Sequence, residues 1–128
     1  MSGVVRVPAV FTYIYEHTGR ERPMRVDLVW DPEYPFTVEF RFRNHTQSVW
    51  SIGRDLVVDA LTSAAAGEGD ARFWQSGEDL GLVLHTPSGR AEFVVPRAAL
   101  VEVVVVSEPL FRAAVDAWRD AWLAGVLA

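Results

Sequence analysis

The sequence contains no cysteine, which excludes disulfides, zinc–thiolate sites and cysteine nucleophiles and is typical of proteins in a reducing cytoplasm. It contains no lysine either, so all 12 basic residues are arginine. The 17 acidic residues outweigh them, and the formal net charge is −5. Because nucleic-acid-binding domains are usually basic, an acidic chain must concentrate its arginines locally in order to bind phosphate. The only loose arginine cluster, residues 20–25, also contains Glu21. This balance disfavours nucleic acid as a ligand.

Long apolar segments are also missing. The valine run at residues 103–106 is far shorter than the roughly 20 residues of a membrane span. The first 20 residues lack the basic, apolar and small-residue segments of a secretory signal. With 50% hydrophobic and 23% charged residues, the chain of 128 residues suits one globular domain, residues 1–128, that needs no metal or disulfide to fold. We therefore expect a soluble cytoplasmic protein.

Motifs of catalysis and metal binding are absent as well. His17, His45 and His85 lie far apart, without a second histidine or a carboxylate at metal-binding spacing. Ser88 lies in a predicted turn and lacks the strand–turn–helix setting of a serine nucleophile. The glycines at residues 67–69 precede a predicted strand, whereas a phosphate loop precedes a helix. We expect no enzyme, no catalytic residue, no metal and no cofactor.

Strict alternation of apolar and polar residues predicts an antiparallel hairpin in the first half of the chain. The two alternating runs are residues 24–30 and 36–42, with a proline-containing turn between them. Placing Asp27 opposite Arg41 pairs unlike charges, so we predict that register. Residues 4–15 also look extended, and Pro8 predicts an edge or bulged strand there.

A helix is predicted to follow, since apolar residues recur on one face from Arg54 to Leu61, with Gly53 or Ser51 as its cap. Residues 63–70 are predicted to form a flexible loop. Strands are predicted at 71–75, 80–86 and 90–95, and the last two flank a Pro-Ser-Gly turn.

The C-terminal quarter contains one ambiguous segment and one clear helix. The valines of residues 97–106 favour a strand, whereas Pro96 and the following alanines favour a helix. From Phe111 onward, apolar residues recur at helical spacing through Trp118 and Trp122. Strands followed by segregated helices indicate an α+β fold of antiparallel sheets packed with two to three helices.

The five tryptophans raise the question of which are core residues. Trp30 and Trp118 lie on predicted apolar faces, so we expect both in the core. Trp50 and Trp74 are harder to place. Either Phe73 or the Arg72/Trp74 pair faces outward, and an exposed arginine–tryptophan pair would suit a protein interface. Of the two alternatives, we expect core packing.

Several short motifs occur together in one order. They are PEYPFTV (residues 32–38), WSIGRDLVVDAL (50–61), GEGDARFW (67–74), PSGRAE (87–92) and PRAAL (96–100). This arrangement, spanning roughly residues 24–106, resembles the SsgA-like family of actinomycete sporulation and cell-division proteins. After it, the sequence departs from the family pattern, since residues 107–109 lead straight into a short tryptophan-bearing helix.

The resemblance implies a function and a fold. It implies a non-enzymatic regulator of sporulation-specific cell division at the septum, which binds a tubulin-like division GTPase and other SsgA-like proteins. It also implies a Whirly-like sheet with barrel-like curvature, a homotrimer and no catalytic residues. We take Arg54, Asp55, Arg72 and Trp74 as candidate partner-binding residues. The alternative is a module that binds single-stranded nucleic acid through the sheet, which would need a contiguous surface of arginines and aromatic rings.

Overall fold

The computed structural model describes residues 3–44 and 47–127. The described chain forms one antiparallel sheet of eight strands in the order β4-β3-β2-β1-β8-β7-β6-β5, together with two helices. The strands are β1 (Val5–Ile14), β2 (Glu21–Trp30), β3 (Thr37–Phe42), β4 (Val49–Gly53), β5 (Ala65–Ala66), β6 (Ala71–Ser76), β7 (Asp79–Thr86) and β8 (Gly89–Val95). The helices are α1 (Arg54–Thr62) and α2 (Arg97–Leu127). The predicted α+β class with antiparallel strands and two helices is confirmed.

The sheet curls into a half-barrel around its own core. Phe40 on β3 and Phe73 on β6 are five strands apart in the sheet order, yet their ring centroids are 6.4 Å apart. Phe42 and Phe93, on β3 and β8, approach to 5.1 Å in the same way. The inner face is therefore the hydrophobic core, because alternate residues of each strand point into the curl.

The predicted register of the first hairpin is confirmed, since Asp27 lies opposite Arg41. The ion pairs are nevertheless made with other neighbours. Asp27 accepts hydrogen bonds from Arg43, whose Nε is 3.0 Å away, and from Arg6 at 3.4 Å. Arg41 instead bonds Glu39, two residues along its own strand, at 2.7 Å. The outer face of this part of the sheet is thus covered by paired opposite charges.

The prediction that Pro8 marks an edge or bulged strand is confirmed only in part: β1 lies inside the sheet and has no bulge, but around Pro8 it is paired on the β2 side alone. The register explains why the proline is tolerated. Pro8 faces Asp27 at a position whose amide points away from β2. On that other side β8 pairs only with Thr12–Ile14, so no ladder bond is lost at Pro8.

Residues 97–106, which were ambiguous in sequence, are helical. Their buried side chains, Ala99, Leu100 and Val103, recur at helical spacing against the sheet, and this packing outweighs the strand preference of the valines. The expected short helix after residues 107–109 is also wrong, since α2 runs through Pro109 as one helix of 31 residues. Because proline has no N–H, Pro109 cannot donate the helical hydrogen bond to the Val105 carbonyl. Val105 is an exposed residue, so this unpaired carbonyl is not in the core.

Three further predictions concern two tryptophans and the loop after α1; the first is confirmed and the other two are corrected. Trp30 is completely buried, as expected, and its Nε1 donates to the Pro35 carbonyl at 3.0 Å. Trp118 is 55% exposed, so its assignment to the core is wrong: the apolar stripe of α2 continues beyond the part of the helix that packs on the sheet. The predicted loop at 63–70 contains the short strand β5, which pairs with β6.

Candidate interaction surfaces

Arg54 joins the two helices. It is the first residue of α1, and its backbone amide donates to the Phe36 carbonyl at 2.9 Å. Its guanidinium is buried beneath α2, where Nη2 donates to the Val104 carbonyl, to Ser107 Oγ and to Glu108 Oε2 at 3.1, 3.3 and 2.8 Å. The Phe111 ring covers the same guanidinium, with its centroid 4.0 Å from Cζ. As folded, the Arg54 side chain fixes α2 against α1 and is not displayed to a partner.

Glu108 connects this buried cluster to the surface. Its side chain is 39% exposed and bonds Arg54 with one carboxylate oxygen and Arg112 with the other, the latter at 2.9 Å. The hydrogen bond from Arg54, followed by that from Arg112, lowers the pKa of Glu108 below its ordinary value. The carboxylate is therefore ionised over a wider pH range than a free glutamate.

The other three candidate residues lie apart from that cluster. Asp55 is exposed in the first turn of α1, where its carboxylate accepts from the Leu56 amide at 2.9 Å. Arg72 and Trp74 lie on the outer face of β6, because Phe73 between them is buried in the core. The expected core packing of Trp74 is therefore wrong: the core takes Phe73, and alternation turns the Arg72/Trp74 pair outward.

Trp74 is only half-buried, and a glycine explains how it is held. Gly81 lies opposite Trp74 on β7, and a Cβ built at Gly81 would overlap the indole. The ring therefore lies against bare backbone on the outside of the sheet. The structure does not bring Arg54, Asp55, Arg72 and Trp74 together as one surface, and their part in partner binding stays a prediction.

Sequence reasoning missed an exposed apolar surface on the second half of α2. Residues 112–127 of α2 contain no buried side chain. We call the group Trp118, Trp122, Leu123 and Val126 the tail face; these side chains are 55%, 56%, 40% and 61% exposed. Phe36 packs edge-on against Trp118, with centroids 5.8 Å apart. The helical spacing had been found, but it was interpreted as a core stripe.

The histidines form no site in the part of the chain that the structure covers. His17 is exposed and His85 is half-buried at the end of β7, whereas His45 lies outside the described residues. Within residues 3–44 and 47–127, no three histidine or acidic side chains are grouped as a metal site would require. Among the described helices, neither has a segment apolar and long enough to cross a membrane.

A curled antiparallel sheet of eight strands packed with two helices defines a class of α+β domain that two solved structures share. An SsgA-like sporulation-specific cell division protein from Thermobifida fusca YX-ER1 matches with a TM-score of 0.73 and 22% identity over 98% of both chains. A chain from work on SsgB of Streptomyces coelicolor, in which mutations correlate to longitudinal cell division during sporulation, matches with a TM-score of 0.66 and 23% identity. That match covers 89% of this chain and 86% of the other. At these identities the likeness establishes the fold.

The sequence comparisons establish the family. The family model described as "Streptomyces sporulation and cell division protein, SsgA" matches residues 24–111. The sporulation-specific cell division protein SsgB of Salinispora tropica is 38% identical over 89 residues, which cover 62% of this chain and 60% of that protein. The chain thus spans about 60% of the length of this curated relative. It belongs to the SsgA family of sporulation and cell division proteins, and the resemblance found in the motifs is confirmed.

Proposed function

We propose that this chain acts in sporulation-specific cell division as a non-enzymatic adaptor, which binds division proteins at the septum. The partners proposed are the tubulin-like division GTPase and other SsgA-like proteins. Family membership supports the part of the proposal that concerns sporulation-specific cell division. The mode of action, binding without turnover, is supported by the surface of the chain itself.

The observation that carries this proposal is the tail face. Single exposed apolar residues are normal on a monomer, but a contiguous group with two tryptophans marks an interaction surface. Tryptophan is also the residue type most enriched at the energetic centres of protein interfaces. The same face supports self-association, for which we propose the homotrimer that the family resemblance implies; closed symmetry is the norm for such assemblies.

A binding experiment tests the proposal. Purified chain is immobilised, and the tubulin-like division GTPase of the same organism is passed over it. We expect binding by the wild type and at least a tenfold loss in the double variant Trp118→Ala/Trp122→Ala, because hot-spot tryptophans typically contribute about 2 kcal/mol or more. The control is Val105→Ala/Val106→Ala, which truncates exposed apolar residues elsewhere on α2. No binding by the wild type, to the GTPase or to a second SsgA-like protein, would refute the adaptor function.

The nucleic-acid alternative receives less support from the outer face of the sheet. At least seven of the 12 arginines have a carboxylate within salt-bridge distance, among them Arg6, Arg41, Arg43 and Arg90 on the sheet. A single-stranded-nucleic-acid site needs unpaired basic groups that follow the backbone, with aromatic rings between them. Retardation of a single-stranded oligonucleotide at low salt, lost as salt rises, would reverse this preference.

A further inference from the structure

The pairing of charges on the outer face of β1, β2 and β3 is incomplete. Arg6 and Arg43 bond to the same carboxylate, that of Asp27, whose side chain is only 13% exposed. Arg25 is exposed next to them and forms no ion pair with any of the described residues. Three arginines therefore surround one acidic side chain, which leaves an excess of two positive charges on a chain of net charge −5. We call Arg6, Arg25 and Arg43 the arginine patch.

Two members of the arginine patch lie directly opposite each other. The Arg43 amide donates to the Arg25 carbonyl at 2.8 Å, which extends the β2–β3 ladder by one pair of residues. Both side chains stand on the outer face, because the neighbouring Val26 and Phe42 are buried in the core. Like charges directly opposite each other destabilise a sheet. The pair therefore lowers the stability of the fold unless an anion lies between the two guanidinium groups.

The arginine patch borders an open groove on the outer face of the sheet. The groove has a volume of about 740 Å³, and its lining consists of Pro8, Ala9, Val10, Arg25, Asp27 and Arg43. Val10 lies opposite Arg25 on β1, and its side chain is exposed. A ligand in the groove would therefore meet cationic groups and an aliphatic surface side by side.

The lining of the groove distinguishes between the anions that could bind there. A single-stranded nucleic acid needs aromatic rings on which its bases stack and a basic track along its backbone. None of the six lining residues, all of them in the described part of the chain, is aromatic, and the Asp27 carboxylate interrupts the basic surface. A carboxylate matches the planar donors of arginine, and a polypeptide can also supply an aliphatic side chain that covers Val10. The groove is therefore better suited to an acidic polypeptide than to a nucleic acid.

We propose that this groove binds an acidic segment of a partner protein. Carboxylates of the segment bind Arg25 and Arg43, and an aliphatic side chain next to them packs on Val10. Because the chain has a net charge of −5, an acidic partner is repelled over most of its surface, so the arginine patch also determines where that partner binds. This inference rests on the proposed function, since it gives the adaptor a second surface besides the tail face and specifies the charge of the partner.

The test uses the full chain, labelled with ¹⁵N, and the capped peptide Glu-Glu-Leu-Glu-Glu at low salt. We expect saturable shifts of the Nε–H resonances of Arg25 and Arg43 and of amides in β1, β2 and β3, with an affinity that falls as salt is added. Arg25→Glu should weaken binding by about fivefold or more, because it removes an ion pair with the peptide and adds a like charge.

Two comparisons separate binding from stability. Arg25→Glu places an unlike charge opposite Arg43, so its urea midpoint should equal or exceed that of the wild type, and the loss of binding cannot be caused by unfolding. Arg119→Glu, a charge reversal on α2 with the same change in net charge, should leave the affinity for the peptide unchanged.

Three results would overturn the inference. The first is the absence of saturable shifts with the acidic peptide, and the second is equal binding of the neutral peptide Gln-Gln-Leu-Gln-Gln. The third is an equal loss of affinity in Arg25→Glu and Arg119→Glu, which would show that net charge and not the groove controls binding. An oligothymidine that gives the same shifts and loses them in Arg25→Glu would assign the groove to nucleic acid instead.

The tail-face variant Trp118→Ala/Trp122→Ala separates this inference from the proposed function. It should bind the acidic peptide like the wild type, because the groove is on the sheet. If the peptide binds and no division protein does, the adaptor function fails while the groove stands as a site for acidic segments. If division proteins bind the wild type and Arg25→Glu equally and the peptide does not bind, the adaptor function stands and the groove inference fails.

Discussion

The two halves of α2 have opposite relations to the rest of the molecule. Residues 97–111 bury Ala99, Leu100, Val103 and Ser107 and cover the guanidinium of Arg54. Residues 112–127 contain no fully buried side chain and expose the tail face. Both halves are apolar and helical, so neither composition nor secondary structure distinguishes them. The two halves of α2 differ in whether the sheet lies beneath the helix.

The family match ends at the same place. Its last matched residue is Phe111, which packs over Arg54, and the tail face lies beyond it. The part of the helix matched by the family model is thus the part that completes the core. The second half has no buried side chain, so its apolar residues are available for contacts with other molecules. Four predictions test whether this division holds.

The largest effect is expected from truncating one leucine in each half. Leu100 is completely buried, so Leu100→Ala should lower the free energy of unfolding by about 2–5 kcal/mol through lost burial and a cavity. Leu123 is 40% exposed, and Leu123→Ala should change it by less than about 0.5 kcal/mol. Urea unfolding followed by circular dichroism measures both. Similar losses in the two variants would show that the second half is packed and that the contrast is false.

The next effect concerns the clamp between the helices. Arg54→Ala leaves the Val104 carbonyl and Glu108 without their buried donor and uncovers Phe111. We expect a loss of about 2–3 kcal/mol in the free energy of unfolding, less than for a fully buried pair because Glu108 can hydrate. Arg119→Ala, which removes an exposed pair with Asp116, should cost under about 1 kcal/mol. If Arg54→Ala costs no more than this control, the clamp is unimportant for stability.

A smaller effect, this time a gain in stability, is expected where the two halves of α2 meet. Pro109 lies inside the helix and denies the Val105 carbonyl a donor. Pro109→Ala restores that donor but makes the unfolded chain more flexible, so we expect a net gain of about 1 kcal/mol in thermal or urea unfolding. A loss instead of a gain would mean that the proline shapes α2 for its packing on the sheet.

The smallest effect is a change in the stability of the fold with pH, and it occurs in the acidic range. Because Arg54 and Arg112 lower the pKa of Glu108 in the folded state, its ionisation stabilises the fold above the unfolded pKa, near 4.3. That contribution is lost as pH falls through the lower folded value. The urea midpoint of Glu108→Gln should therefore differ from wild type at pH 7, and the difference should shrink as the pH falls below the unfolded pKa, with Glu102→Gln as the matched substitution. A constant difference across this range would exclude the linkage.

Sequence patterns predicted the sheet well where they alternate strictly. Alternation excludes a one-residue shift of the first hairpin, which would expose the core, and the pairing of unlike charges selects the register in which Asp27 lies opposite Arg41. The segment 97–106 could not be resolved in the same way, since a run of valines has no period and the helix is selected by the surface it covers. For Trp118 the secondary structure was predicted correctly and the burial was not. Its helical spacing was recognised, but a spacing does not indicate how far the sheet extends beneath the helix.

The candidate sites were the least predictable part. Arg54 stands at a helix start beside an acidic residue, which is typical of a solvated surface, and its burial depends on a helix 50 residues later in the chain. The cavity beside Tyr13, Phe42 and Phe93 draws its wall from six strands, so no local motif predicts it. Alternation around Phe73 leaves only two orientations for Arg72 and Trp74, but which face meets the core depends on the neighbouring strands.

The length of one strand sets a distance with a functional consequence. Phe36, which touches Trp118, directly precedes β3, and Phe42 ends it. Six residues of strand span about 20 Å. The two ends of β3 are therefore far enough apart to contact different molecules at the same time.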